Sequence, residues 1–414
     1  MHRDSNLIRW VHLIACAFLA LTTPLSASDD TISIYIDADY SVTPAPAEAI
    51  EIGLRSAFAG TWAETGIAVV RRDHRRNARR SLDTIREAMR DPSAVAVLGG
   101  MESPVYFANG PEINMGGLPL LLPWSAGDML TRLAEGDANW IFRLSVDDTK
   151  AASMLVAYGQ FSNCKTASLI FVDNAWGNGN AKRIAAEIET RGGTVASRHP
   201  LPFNAGEQLL VELTRSVDRY KVDCVYLVSA LAHAKPVIGT IGAQDNPPRI
   251  ISHWGILGDR ITNHIDYQML ENAQLTILGT CGLNDAQRNW QVFERAREAA
   301  KQIVGGNFDP EFHPAPHGFF HAHDIGLILK RAIEIARETD GWEGGATARR
   351  EAVRAALYQV KAPIEGVLKT YVAPFDQVSQ SNLDGHEALS RSDLCMTSVD
   401  DLGHVVSLTS SDGR

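Results

Sequence analysis

From Thr31 onward the chain alternates short apolar runs with amphipathic stretches, and this rhythm restricts the fold more than any other feature. Ile32–Ile36, Gly66–Val70, Ala94–Leu98 and Pro119–Leu122 have the length and composition of strands, and between them Ala47–Phe58, Ser81–Met89 and Tyr106–Met115 have helical spacing. The pattern resumes with helix Thr149–Phe161, strand Ala167–Val172, helix Asn180–Arg191, strand Thr194–Arg198, helix Ala205–Tyr220, strand Cys224–Val228, helix Lys235–Ala243 and strand Arg249–Ser252. Strands alternating with helices at this spacing predict an α/β fold of parallel sheets covered on both faces. The units are too many for one sheet, and 414 residues fit two domains, so two doubly wound lobes are expected. Three extended segments, Asn139–Asp147, Leu275–Gly282 and Ile364–Tyr371, are the expected crossovers between them. Helices over Asp285–Val304 and Gly318–Arg337 and a hairpin over Met396–Val406, around "DDLG", complete the pattern. The expected limits are residues 1–27 for a signal peptide, 28–143 plus 283–365 for lobe 1, and 144–282 plus 366–414 for lobe 2.

The formal net charge of -10 gives no electrostatic pull toward nucleic acid or anionic membrane. At the N-terminus, Arg3 and Arg9 precede the apolar run Trp10–Leu21, then Pro24 and the small residues Ser26, Ala27 and Ser28. That order predicts a signal peptide cleaved after Ala27, export to the periplasm, and a mature chain that does not span the membrane. "LIAC", ending at Cys16, resembles a lipobox but has almost no apolar region before it. Cys164, Cys224, Cys281 and Cys395 remain after cleavage, too widely spaced for a CxxC site, and allow three disulfide connectivities.

"FVDNAWGNGN", residues 171–180, reads as a strand, a glycine-rich turn and a helix, the order of a nucleotide cradle. A dinucleotide fingerprint needs a small residue where this chain has Lys182, and Asp173 and Trp176 crowd the place of a pyrophosphate, so no nucleotide cofactor is expected. What survives is a strand end with an indole at the rim of a site. "RRDHRRNARR", residues 71–80, spans a strand end and a helix start with no interleaved aromatics, and reads as a solvated loop rather than a nucleic-acid patch. His317, His321 and Asp324 fall at i, i+4 and i+7 of one helix face, a spacing zinc can use, but helix-face histidines are more often surface or packing residues, and no metal site is assigned. There is no Gly-x-Ser-x-Gly elbow, and no catalytic residue is assigned.

The segments "AVLGGMESPVYFANGPEINMGGLPLLLPWSAGDMLT" (96–131), "NWIFRLSVDD" (139–148), "ASLIFVDNAWGNGNAKRIAAEIETRGG" (167–193) and "VDCVYLVSA" (222–230) resemble, in order and spacing, the solute-binding proteins of branched-chain amino-acid ABC transporters. The resemblance runs from Ile32 to Val406 and implies the type I periplasmic binding fold: two lobes joined by three crossovers, closing on a small molecule and delivering it to membrane transport subunits. It implies ligand contacts at Ser103, at Trp124, Ser125 and Ala126 after "LPLLLP", at Trp176 in the family's Asp-x-x-Tyr-Gly turn, and at Ser229. Trp254 in "ISHWG" stands where amino-acid binders often place an acid for the ligand ammonium. Trp124, Trp176 and Trp254, with Tyr40, would then line an aromatic cleft for an aromatic, hydrophobic or quaternary-amine ligand rather than an ordinary α-amino acid. A sensory module with the same fold, presenting its liganded form to a receptor or kinase, is the alternative, and a metal-dependent enzyme a more distant one.

Overall fold

The computed structural model describes residues 31–60, 66–132, 138–145, 147–202, 205–283, 287–306 and 308–408. The expected signal peptide lies outside them. In chain order the elements are β1 (Ile32–Ala38), α1 (Pro44–Ala57), β2 (Ile67–Asp73), α2 (Ala78–Arg90), β3 (Ala94–Gly99), α3 (Ser103–Gly116), β4 (Leu120–Leu122) and β5 (Ile141–Arg143). Next come α4 (Asp148–Phe161), β6 (Thr166–Val172), α5 (Ala175–Thr190), β7 (Thr194–Leu201), α6 (Glu207–Tyr220), β8 (Cys224–Val228), α7 (Leu231–Gly242), β9 (Arg249–Ser252), α8 (Tyr267–Asn272) and β10 (Thr276–Thr280). The chain closes with α9 (Trp290–Val304), α10 (Pro316–Arg337), α11 (Ala346–Gln359), β11 (Ile364–Glu365), β12 (Thr370–Tyr371), β13 (Leu394–Val399) and β14 (Val405–Ser407).

The strands form a five-stranded sheet in the order β2-β1-β3-β4-β5 and a seven-stranded sheet in the order β14-β13-β10-β9-β8-β6-β7, with β11 and β12 pairing on their own. The first sheet is parallel throughout, as the alternating pattern predicts. Only the β13–β14 hairpin at one edge of the second runs antiparallel, and it is the hairpin expected around "DDLG". Central strands β1, β3 and β8 are buried along their whole length, whereas edge strand β7 is partly exposed, the contrast expected when helices cover both faces. The chain passes between sheets three times: after β5 into α4, after β10 into α9, which packs on α1, and after α11 through β11 and β12 into β13. Disulfides Cys164–Cys224 and Cys281–Cys395 settle the connectivity that the sequence left open.

One helix pair sets the depth of the molecule's centre. Ala49, Gly53 and Ala57 on α1 face Gly318, Ala322 and Gly326 on α10, and a Cβ on Gly53 would strike the Phe319 carbonyl. These small residues at four-residue spacing let the two backbones approach closely. The seam holds the start of α10, with His317 and His321, directly behind Trp124 and Trp254.

Candidate functional site

The loops at the carboxyl ends of the parallel strands of both sheets meet around a cavity of about 280 Å³. In open parallel sheets this is where ligands bind. Arg76 follows β2, Met101 to Val105 follow β3, and Trp124 and Ala126 follow β4. From the other sheet come Asn174 and Trp176 after β6, Ala230 and His233 after β8, and Trp254 and Gly255 after β9.

A belt of rings runs behind this cavity from one sheet to the other. Trp176 meets His253 edge-on at 5.2 Å, His253 meets Trp254 at 5.5 Å, and Trp254 meets His321 at 6.1 Å. His321 meets His317 at 5.8 Å, and His317 stacks on Trp124 at 5.9 Å. Trp124 and Trp254 are almost fully buried, so they are core residues and cavity wall at once. Asp148, at the start of α4, orients one end of the belt by accepting from Trp176 Nε1 at 3.2 Å and pairing with His253 Nε2 at 3.1 Å. At the other end His321 is held by the Pro123 carbonyl and the Thr280 hydroxyl, while Asp324 turns to the backbone N–H groups of Val367 and Leu368 and the Tyr371 hydroxyl. The i, i+4, i+7 spacing therefore serves packing and the third crossover. Desolvation lowers His321 to about 4, which keeps it neutral.

The glycine-rich turn expected at residues 173–179 is corrected: it is the first part of helix α5, which starts at Ala175 rather than Asn180. Asn174 caps the helix by accepting from the Gly177 N–H at 2.9 Å. Gly177 is required because a Cβ there would collide with the Val172 carbonyl. The early start places Trp176 on the first turn, facing the cavity. The capping asparagine was the signal, and the two glycines masked it.

The arginine run also needs correction. The Asp73 side chain accepts from the Arg75 N–H at 3.1 Å and His74 Nδ1 from the Arg76 N–H at 3.0 Å, turning both arginines into left-handed conformations with φ of 50° and 55°. Arg76 is thereby directed into the cavity rather than out to solvent. Its Nε lies 3.1 Å from Asp39 and 3.7 Å from Glu102, and its Nη2 donates to Thr43 at 2.6 Å. Hydrogen bonds to Val42 and Thr43 and the Arg76 charge outweigh burial and keep the Asp39 carboxyl low. Burial lowers His74 to about 4 and pushes Glu102 up to about 7.

Of the residues expected at the site, Ser103, Trp124, Ala126, Trp176 and Trp254 line the cavity. Ser103 Oγ accepts from the Gly127 N–H at 3.0 Å. Tyr40, Ser125 and Ser229 are not among the lining residues. Tyr40 packs under the Arg71 guanidinium at 3.7 Å and donates to Glu51, Ser125 donates to the Gly100 carbonyl at 2.8 Å, and the Ser229 backbone sits behind Gly255. Ser125 and Ser229 adjoin lining residues in the chain and Tyr40 does not, and all three side chains are spent on local structure. Arg76, Glu102, Asn174 and His233 were missed, since single polar residues in loops carry no periodic signal.

Comparison with known proteins agrees with this architecture. The periplasmic binding protein family model matches residues 40–380. No curated protein sequence matches the chain. Among solved structures, a type 1 periplasmic binding protein from Bordetella pertussis Tohama I aligns with TM-score 0.69 and 16% identity, covering 89% of this chain and 97% of that one. A leucine-binding protein from Thermotoga maritima aligns with TM-score 0.67 and 15% identity over 91% and 97% of the two chains. A solute-binding protein of an ABC transporter from R. palustris, in complex with benzoate, gives TM-score 0.67 and 16% identity over 91% and 95%. With two parallel sheets, three crossovers, a cavity between them and a family model spanning most of its length, the chain belongs to the periplasmic binding protein family and has the type I fold.

Proposed function

We propose that this protein is an exported, periplasmic solute-binding component of an ABC importer. It captures a small organic molecule by closing two lobes, residues 28–143 plus 283–365 and 144–282 plus 366–414, and delivers it to membrane subunits without a chemical step. The observation that carries the reading is the cavity itself: loops from both sheets converge on it, and three tryptophans backed by a ring belt form its wall. Such a wall suits an aromatic, hydrophobic or quaternary-amine body better than an ordinary α-amino acid. An amino-acid carboxylate would find Arg76 already engaged by Asp39 at 3.1 Å. The R. palustris relative with benzoate supports the idea that this fold accepts an aromatic solute. Ser103 accepts from Gly127 and retains its own proton to orient a polar end of the ligand.

Thermal unfolding of the purified protein against amino acids, aromatic acids, amides, polyamines and quaternary amines tests this. A ligand at 100 times its Kd adds about 2.7 kcal/mol, and Trp254→Ala or Trp176→Ala abolishes that shift. A large shift with leucine or valine would overturn the aromatic preference; no shift with any compound would overturn solute capture.

A further inference from the structure

Resting on that reading, we infer that the ligand carries a positive charge and that Glu102, which immediately precedes α3 in the loop after β3, is the residue that selects it. Glu102 lines the cavity, and its Oε1 is buried with no hydrogen-bond donor among the described residues. Its nearest cation, Arg76, approaches Oε1 only to 3.7 Å and lies closer to Asp39, at 3.1 Å. The other neighbour, His74 Nε2, is 3.7 Å from Oε2, beyond hydrogen-bond range, and burial keeps that ring neutral.

The groups facing Glu102 are Arg76 and His74 from the β2–α2 loop, Asp37 of β1 and Asp39 just after it, and Tyr106 from α3, with His233 of α7 also lining the cavity. Asp37 is fully buried and pushed up to about 7, chiefly by desolvation. Arg76 is therefore ion-paired with Asp39, which also accepts hydrogen bonds from Val42 and Thr43, and a second carboxylate, Glu102, stands beside them; Glu102 Oε1, Arg76 Nε and Asp37 Oδ1 are buried without a hydrogen-bond partner among the described residues. An incoming cation supplies the missing charge, and the indole faces stabilise it further as it loses water. An incoming anion meets Arg76 already ion-paired with Asp39, and beside it Glu102, which would have to stay protonated. Burial pushes the Glu102 carboxyl up to about 7, so a cation captured beside it ionises the carboxyl and releases a proton.

Calorimetric titration with benzyltrimethylammonium, benzyl alcohol and benzoate, three probes of similar body and different charge, tests the inference on the purified full chain. The cation binds at least about tenfold more tightly than the alcohol, and benzoate binds most weakly. Glu102→Gln weakens the cation by about tenfold or more and moves the alcohol by less than about twofold. In the unsubstituted protein, cation affinity rises between about pH 6 and pH 8, and titrations at pH 7 in phosphate and in Tris differ by the released fraction of a proton, about one half, times the difference between the two buffers' heats of protonation. This last measurement needs no variant, so it decides the matter even if Glu102→Gln fails to fold. Equal cation binding by Glu102→Gln, or cation binding with no proton release, overturns the role of Glu102. Tight binding of benzyl alcohol or benzoate without the cation overturns the charge preference and leaves solute capture standing. If none of the three binds and the broader compound panel is also silent, both readings fall together.

Discussion

The charges around Glu102 and those around Glu387 use the same residue types, arginines set among carboxylates, but differ in how completely they are paired. The second group ties the first crossover to the third. Arg143 ends β5, Asp147 and Lys150 open α4, and Asp384 and Glu387 precede β13. Glu387 accepts from Arg143 and Lys150 at 2.5 Å each and from the Thr131 hydroxyl at 3.0 Å, Asp384 pairs with Lys150 at 2.9 Å and Arg132 at 2.5 Å, and Arg132 also holds Asp147. Although Asp147, Asp384 and Glu387 are close enough together to suit a metal ion, three cations already neutralise them. Around Glu102 a single guanidinium serves two carboxylates, and the carboxylate oxygen Glu102 Oε1 is left without a donor; in the Glu387 group the unpartnered buried atom is a guanidinium nitrogen, Arg143 Nε, while all three carboxylates are paired. A network whose carboxylates are all paired holds structure together, whereas an unpartnered carboxylate facing a cavity is what a ligand can fill.

The two groups also respond to pH in opposite directions. Burial alone would raise Asp147, but Arg143, Lys150 and Arg132 bring it down to about 2, so its contribution is present above pH 4 and is lost as pH falls toward 2. Glu102, raised to about 7 mainly by burial, keeps its proton longer in the folded than in the unfolded chain, so stability falls as pH rises from about 4.5 to 7.

The sharpest way to break this contrast is Glu387→Ala. It strands the fully buried Arg143 and should cost about 3–5 kcal/mol, read as a lower urea midpoint. A loss below about 1 kcal/mol would mean the crossover network is not structural. Glu102→Gln should act in the other direction. It removes a poorly compensated buried charge and raises stability by roughly 1–3 kcal/mol at pH 8, with the gain vanishing near pH 4 when melting is followed across pH. A gain independent of pH would point to packing rather than charge. The smallest effect belongs to Asp384→Asn at the exposed rim of the Glu387 group. With its side chain 50% exposed, the loss in urea midpoint should correspond to about 0–1 kcal/mol.

Much of the fold was legible because burial imposes a period on the sequence. Strands such as Ala94–Gly99 and Cys224–Val228 are continuous apolar runs, and the helix pattern around them follows from covering both sheet faces. The site was legible only where bulk marked it. Trp124, Trp176 and Trp254 were identified as wall residues, but the histidines that complete their belt were not, because His253 reaches the belt from the end of β9 and His317 and His321 from the start of α10, far away in the chain. The start of α5 was misplaced because two glycines imitate a turn, while the deciding interaction is one side-chain cap at Asn174.

Sequence alone determined the α/β class, the two-lobe organisation, the three crossovers and the strand ends from which the cavity is built, since these depend on local period and chain order. Tertiary structure decided which cysteines pair, which arginine of the run turns inward, and which carboxylate is left short of a partner. Those outcomes depend on distances of a few ångströms between residues far apart in the chain. Arg76 meets Asp39 across two strands, and Glu387 meets Arg143 across 244 positions, separations that no local pattern encodes.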